Sequence, residues 1–132
     1  MLMHTIGRMG APGVTDEFTV KYIFPGGYNP ALSEIVRGYE GLRMFPTDVE
    51  VLRLHYGWTI DHWYDRTTAA REQIVALYDE RFFRMWQFYL AGAAAAFRHG
   101  GLCNYQIQLS RSRTGVPLTR DYMIAGERTL RG

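Results

Sequence analysis

The segment Val49 to Trp63, VEVLRLHYGWTIDHW, changes its hydrophobic period part-way along. This restricts the chain to folds in which a strand runs directly into a helix. Val49, Val51 and Arg53 alternate against Glu50, Leu52 and Leu54, the two-residue period of a strand. Ile60, Trp63 and Tyr64 then fall at i, i+3 and i+4, the period of a helix. His55, Tyr56 and Gly57 occupy the switch. Strand-to-helix junctions are where α/β folds expose functional side chains, so Tyr56 is the first candidate for chemistry.

The flanking segments extend this pattern. Met1 to Gly7 reads as the end of a buried strand entering a polar turn, which leads us to expect further sequence upstream. Arg8 to Thr15 reads as a loop. Asp16 to Phe24 fits a short helix or an extended segment equally well, and Pro25-Gly26-Gly27 forces a turn. Asn29 and Pro30 suit a helix start, with Leu32, Ile35, Val36 and Tyr39 as its apolar stripe and Gly41 as its stop. Thr68 to His99 reads as helix with one break. Ile74, Leu77, Tyr78, Phe82, Met85, Trp86, Tyr89, Leu90, Ala93 and Phe97 form its apolar face, and Glu80 and Arg84 are spaced to pair on the other. Ala91 to Ala96 is nearly all small, which lets another element pack close. Leu102 to Leu109 is a further strand, Tyr105, Ile107 and Leu109 alternating against Gln106, Gln108 and Ser110. Ser112 to Gly132 is weakly patterned and carries Arg113, Arg120, Arg128 and Arg131 against Asp121 and Glu127. It reads as a basic surface tail, 112–132, behind a folded part, 1–111. Strands alternating with helices give an α/β class. Three strands are few for a doubly wound sheet.

Composition narrows the function. With 132 residues, 47% hydrophobic and 21% charged, the chain suits one soluble domain that buries roughly two-thirds of its unfolded surface. A net charge of +2 is too small to argue for nucleic acid as a partner. Cys103 is the single cysteine, which rules out an internal disulfide and fits a cytoplasmic setting. Phe88 to Phe97, the most apolar run, is far short of the roughly 20 residues of a transmembrane helix. There is no Gly-rich phosphate loop, no paired-cysteine motif and no His-Glu-x-x-His. His4, His55, His62 and His99 are scattered without metal spacing.

An ordered set of motifs goes further. LMHTIG at Leu2–Gly7, KYIFPGGYNP at Lys21–Pro30, VEVLRLHYGWTIDHW at Val49–Trp63, ALYDERFFRMWQFYLAGAAAAFR at Ala76–Arg98 and VPLTRDY at Val116–Tyr122 together resemble the cyclopropane-fatty-acyl-phospholipid synthases. That family includes the mycolic acid cyclopropane synthases. The resemblance runs over nearly the whole chain, in order. It implies the carboxy-terminal portion of a Rossmann-like class I methyltransferase sheet, with a helical insertion before the last strand. It also implies methylene transfer from S-adenosylmethionine to the cis double bond of an unsaturated acyl chain in phospholipid.

The resemblance further implies a bicarbonate ion as the base that takes a proton from the cationic intermediate. Carried over residue by residue, the ion is held by His4, the backbone of Ile6, and Tyr56, with His4 and Tyr56 the catalytic pair. Such an anion needs donors to orient it and an apolar wall to exclude water. Phe24, Tyr28, Leu52 and Trp58 are the expected acyl-pocket residues. On residue pattern alone, Tyr56 fits a core tyrosine with a satisfied hydroxyl better than a catalytic one, and Phe24 and Tyr28 fit a core pair. The family's Gly-rich turn for S-adenosylmethionine and its following acidic residue have no counterpart here, so no cofactor-binding residue is assigned. The expected partners are acyl chains, a membrane surface touched peripherally at the inner face, and an amino-terminal half or a second copy. The competing expectation is an inactive remnant or lipid-binding module.

Overall fold

The computed structural model describes residues 1–131. Three strands, β1 (Leu2–Arg8), β2 (Phe45–Leu52) and β3 (Leu102–Ser110), form one sheet in the order β1-β3-β2. β3 is antiparallel to both neighbours, so β1 and β2 run parallel to each other. The chain between them forms α1 (Glu17–Tyr22) and α2 (Leu32–Glu40) before β2, then α3 (His55–Ala69), α4 (Arg71–Leu77) and α5 (Glu80–Arg98), with α6 (Asp121–Leu130) after β3.

The alternation of β3 divides the interior in two. Cys103, Tyr105, Ile107 and Leu109 face α2 and form one core with Ile35 and Tyr39. The opposite face carries Ile6 of β1 and Leu102 of β3, packed against Ile60 of α3 and Leu90, Ala94 and Phe97 of α5. The predicted switch is in place: β2 ends at Leu52 and α3 begins at His55.

Several boundaries differ from the sequence reading. β2 begins at Phe45, ahead of Val49. Pro46 and the register shift between Pro46 and Asp48 disguise its start, and an edge strand tolerates both. α1 resolves the ambiguous segment as a helix, with Asp16 capping the Thr19 amide at 2.9 Å. α2 starts at Leu32 and not at Pro30. The Pro30 carbonyl accepts from the Arg8 amide at 3.0 Å and Ala31 bridges Arg8, which commits that backbone to β1. The long helical stretch breaks twice, at Ala70 and again at Tyr78–Asp79, where Asp79 caps the Phe82 amide at 2.6 Å and starts α5. The second break turns the apolar stripe: Leu77 and Tyr78 are exposed, and Phe83 is buried in place of Phe82. Glu80 pairs with Arg71 at 2.7 Å and not with Arg84. The expected tail contains a helix, α6, tied to the sheet through Arg120–Asp48 at 2.7 Å and the Tyr122 hydroxyl donating to Gln108 Oε1 at 2.8 Å. Among the described residues no helix is long and apolar enough to cross a membrane.

Candidate active site

A cavity of about 520 Å³ opens between α1, α3, α5 and the ends of β1 and β3. Its wall is aromatic: Phe18 of α1, Phe24, Tyr56 and Trp63 of α3, and Phe88, Tyr89 and Phe97 of α5. Small residues make the room. Gly92, Ala93 and Ala96 line it, so α5 presents little bulk on the side that faces the space. Gly57 is buried at the start of α3, where an added Cβ would sit 3.5 Å from Arg98 and 3.7 Å from Phe97. This close approach brings Tyr56 against α5. The Tyr56 ring packs 5.0 Å from Phe97 and 5.6 Å, edge to face, from Trp63.

The rim is polar and locally stapled. The Arg8 guanidinium donates to the carbonyls of Asn29 and Val14, each at 3.2 Å, and the Thr15 hydroxyl donates to the Gly27 carbonyl at 2.8 Å. These bonds fold the loop after β1 over the cavity mouth. Phe24 meets Tyr89 edge to face at 5.9 Å, and Phe18 meets Phe88 at 5.0 Å. Burial, followed by the neighbouring Tyr56 and Asp16, pushes the Tyr89 hydroxyl above its ordinary pKa, so Tyr89 stays neutral and able to donate. The Tyr56 hydroxyl makes no hydrogen bond to any described residue. Among the described residues Asn104 Oδ1 is the one buried side-chain polar atom without a partner, so the Tyr56 hydroxyl is not a stranded buried group but one open to a ligand in the cavity.

The structure brings some of the sequence-derived candidates together and separates others. Ile6, Phe24 and Tyr56 line the cavity. His4 lies two residues before Ile6 on the same face of β1, exposed, with Nε2 3.2 Å from the Asn104 amide nitrogen and Nδ1 3.4 Å from that of Gln106. Tyr28, Leu52 and Trp58 do not line the cavity. The Tyr28 hydroxyl donates instead to the Glu34 carboxylate at 2.7 Å, which raises its own pKa, while the Ala31 amide first and Tyr28 second lower that of Glu34. Trp58 is exposed beside His55, with ring centroids 5.4 Å apart. Phe18, Trp63 and Phe88 were missed by the sequence reading. Phe88 falls outside the apolar stripe of α5, and an aromatic off the core face was the signal available. Among the described residues no group of histidine, cysteine and carboxylate side chains has metal-binding geometry.

Comparison with known proteins gives the family and the fold. Residues 1–107 match the family model described as mycolic acid cyclopropane synthetase. The chain is 42% identical over 108 residues to the tuberculostearic acid methyltransferase UfaA1 of Mycobacterium tuberculosis, covering 79% of this chain and 25% of that protein. It is 36% identical over 110 residues to the cyclopropane-fatty-acyl-phospholipid synthase of Escherichia coli, covering 83% of this chain and 28% of that one. Its fold superposes on the crystal structure of mycolic acid cyclopropane synthase CmaA1 complexed with SAH and CTAB at a TM-score of 0.74. The identity there is 29%, over 83% of this chain and 43% of CmaA1. The chain thus spans about a quarter of the length of the curated relatives it matches.

Proposed function

Because the chain belongs to the mycolic acid cyclopropane synthetase family, we propose that it supplies the acyl pocket and part of the proton-abstraction site of an S-adenosylmethionine-dependent lipid methyltransferase. Its three strands form the carboxy-terminal portion of a class I methyltransferase sheet. The substrate is an unsaturated acyl chain carried on a phospholipid. The observation that carries this reading is the aromatic cavity whose wall holds an unpartnered Tyr56 hydroxyl. Pockets of this size and apolar character suit a ligand buried over most of its surface.

S-adenosylmethionine supplies the electrophilic methyl group. The described residues do not form its site, since the chain has no Gly-rich turn to take it, and its binding is assigned to residues beyond these. Bicarbonate fits better. Tyr56 offers a free hydroxyl on the same side of the sheet as His4 and Ile6, and the three would hold the ion as a base. The work of this chain is then positional. The walls of Phe24, Trp63 and Phe97 exclude water from the double bond. The faces of Tyr56 and Trp63 accept positive charge that develops on the acyl chain. Tyr56 orients the proton acceptor. The enzyme acts at a membrane surface because its substrate resides there.

Calorimetric titration tests this assignment. Oleate, and dioleoyl phosphatidylglycerol in mixed micelles, should bind saturably at one site per chain, and Trp63→Ala should weaken binding by about tenfold, the loss expected when a buried aromatic wall is removed. S-adenosylmethionine should give no heat. Acyl ligands that fail to saturate a folded sample would refute the pocket assignment. Micromolar binding of S-adenosylmethionine would refute the division of labour.

A further inference from the structure

The role given to His4 leaves open what fixes its ring, and the structure supplies a candidate that no motif marked. Asn104 sits in the middle of the central strand, paired with Ile6 of β1 on one side and Leu52 of β2 on the other. It is the single buried polar residue among those described, 5% exposed on the face that Ile6 and His4 share. Its Nδ2 lies 3.2 Å from His4 Nε2, and its Oδ1 is buried with no partner. Gln106, one step along the same face, approaches the other ring nitrogen at 3.4 Å. Glu50, cross-strand from Gln106, is the nearest titratable group on β2 in this row.

Two amide groups against the two nitrogens of one imidazole set a constraint. A neutral imidazole accepts at one nitrogen and donates at the other. Two N–H donors facing it cannot both be satisfied, so one amide must present its oxygen. If the Asn104 amide turns over, its orphaned Oδ1 accepts from the His4 Nε2–H, while Gln106 donates to Nδ1. The orphaned Oδ1 then has a donor, and the amide nitrogen takes the buried place that Oδ1 held, with both its N–H groups free as donors.

We propose that Asn104 is the positioning residue for His4, holding its ring with Nε2 protonated. The proton on Nε2 is then the one His4 can share with an anion as the amide yields. A side chain that selects the tautomer of a functional histidine is a known device of catalytic sites. This inference rests on the assignment of His4 to the anion site and deepens it.

The test is long-range proton–nitrogen NMR of the imidazole rings in the 15N-histidine-labelled chain, with His4 assigned from a His4→Gln sample. The wild-type ring should show a single neutral tautomer, protonated on Nε2. In Asn104→Leu, whose apolar side chain suits neighbours such as Ile6, both nitrogen signals should move towards the average of two exchanging tautomers. Unchanged His4 signals in that variant, or a wild-type ring already averaged, would overturn the proposal. Should Asn104→Leu not fold, Asn104→Asp provides the second reading. A carboxylate held against the ring favours the imidazolium and should move both nitrogen signals towards the imidazolium pattern, and unmoved signals overturn the proposal equally. The anion assignment is tested apart from this, by 13C-bicarbonate line broadening in wild type and Tyr56→Phe. A locked ring without bicarbonate binding would refute the base site and leave the role of Asn104 standing.

Discussion

Gly7 shows how one residue type can be forced by its neighbours. A Cβ at this position would lie 2.5 Å from the Tyr105 ring and 2.8 Å from the Pro30 carbonyl. Neither can retreat, since the Tyr105 hydroxyl donates to the Arg8 carbonyl at 2.8 Å and the Pro30 carbonyl accepts from the Arg8 amide. Gly7→Ala should therefore cost about 1–3 kcal/mol, the usual penalty of overpacking, read as a lower urea midpoint. The same tyrosine carries a pH dependence. Burial first, and contact with Cys103 second, push its hydroxyl up to about 12, against about 10 in an unfolded chain. The unfolded chain loses this proton first, so the stability linked to it is intact below about pH 10 and is lost as the pH rises towards 12. The loss should reach about 3 kcal/mol. Tyr105→Phe should flatten that limb of the stability curve, and a limb equally steep in the variant would contradict the linkage. Such contacts were hidden from the sequence. HTIG marked Gly7 as a turn, but its steric partner lies some hundred positions away in β3. Asn104 likewise looked like one polar residue in an alternating strand until the sheet put it against His4.

At the scale of elements, what could be read was whatever local pattern decides. β1, β3 and the strand-to-helix switch at His55 carry their own periods, and the stripe of α2 was legible although its first residue was not. The failures share a cause: tertiary contacts settled the boundary. The bridge from Arg8 to Ala31 delays α2, and the cap at Asp79 divides a run that is helical by composition. That cap is a testable device. Asp79→Ala removes the acceptor for the Phe82 amide and should destabilise the protein by about 1 kcal/mol. A thermal midpoint equal to wild type would show that α5 is set by packing alone. The Arg98–Asp61 pair that joins α5 to α3 is half-exposed and worth less than about 1 kcal/mol. The hold between these helices therefore resides in Ile60, Leu90, Ala94 and Phe97. α6 was missed because only its first turn is anchored, through Arg120 and Tyr122, while Ile124 and Leu130 stay exposed.

At the scale of the molecule, β1 occupies one edge of the sheet, and beyond the bridge at Arg8 that edge offers backbone donors and acceptors to another strand. The isolated chain should self-associate through it, visible as a concentration-dependent mass in sedimentation. A monomer at high concentration would show the edge to be protected. The two cores on opposite faces of the sheet have a further bearing on how a long ligand gets in. The helical layer rests on the sheet mainly through Ile6 and Leu102, and the row beside them is polar, with His4, Asn104 and Gln106. Cooperative units bounded in this way open at different free energies. Amides of α3 and α5 should exchange with solvent well before those of β3, and an acyl ligand should slow the helices and leave β3 unaffected. On that outcome the wall of α3 and α5 would be the part of the fold that yields to a long ligand, and the sheet the part that holds still.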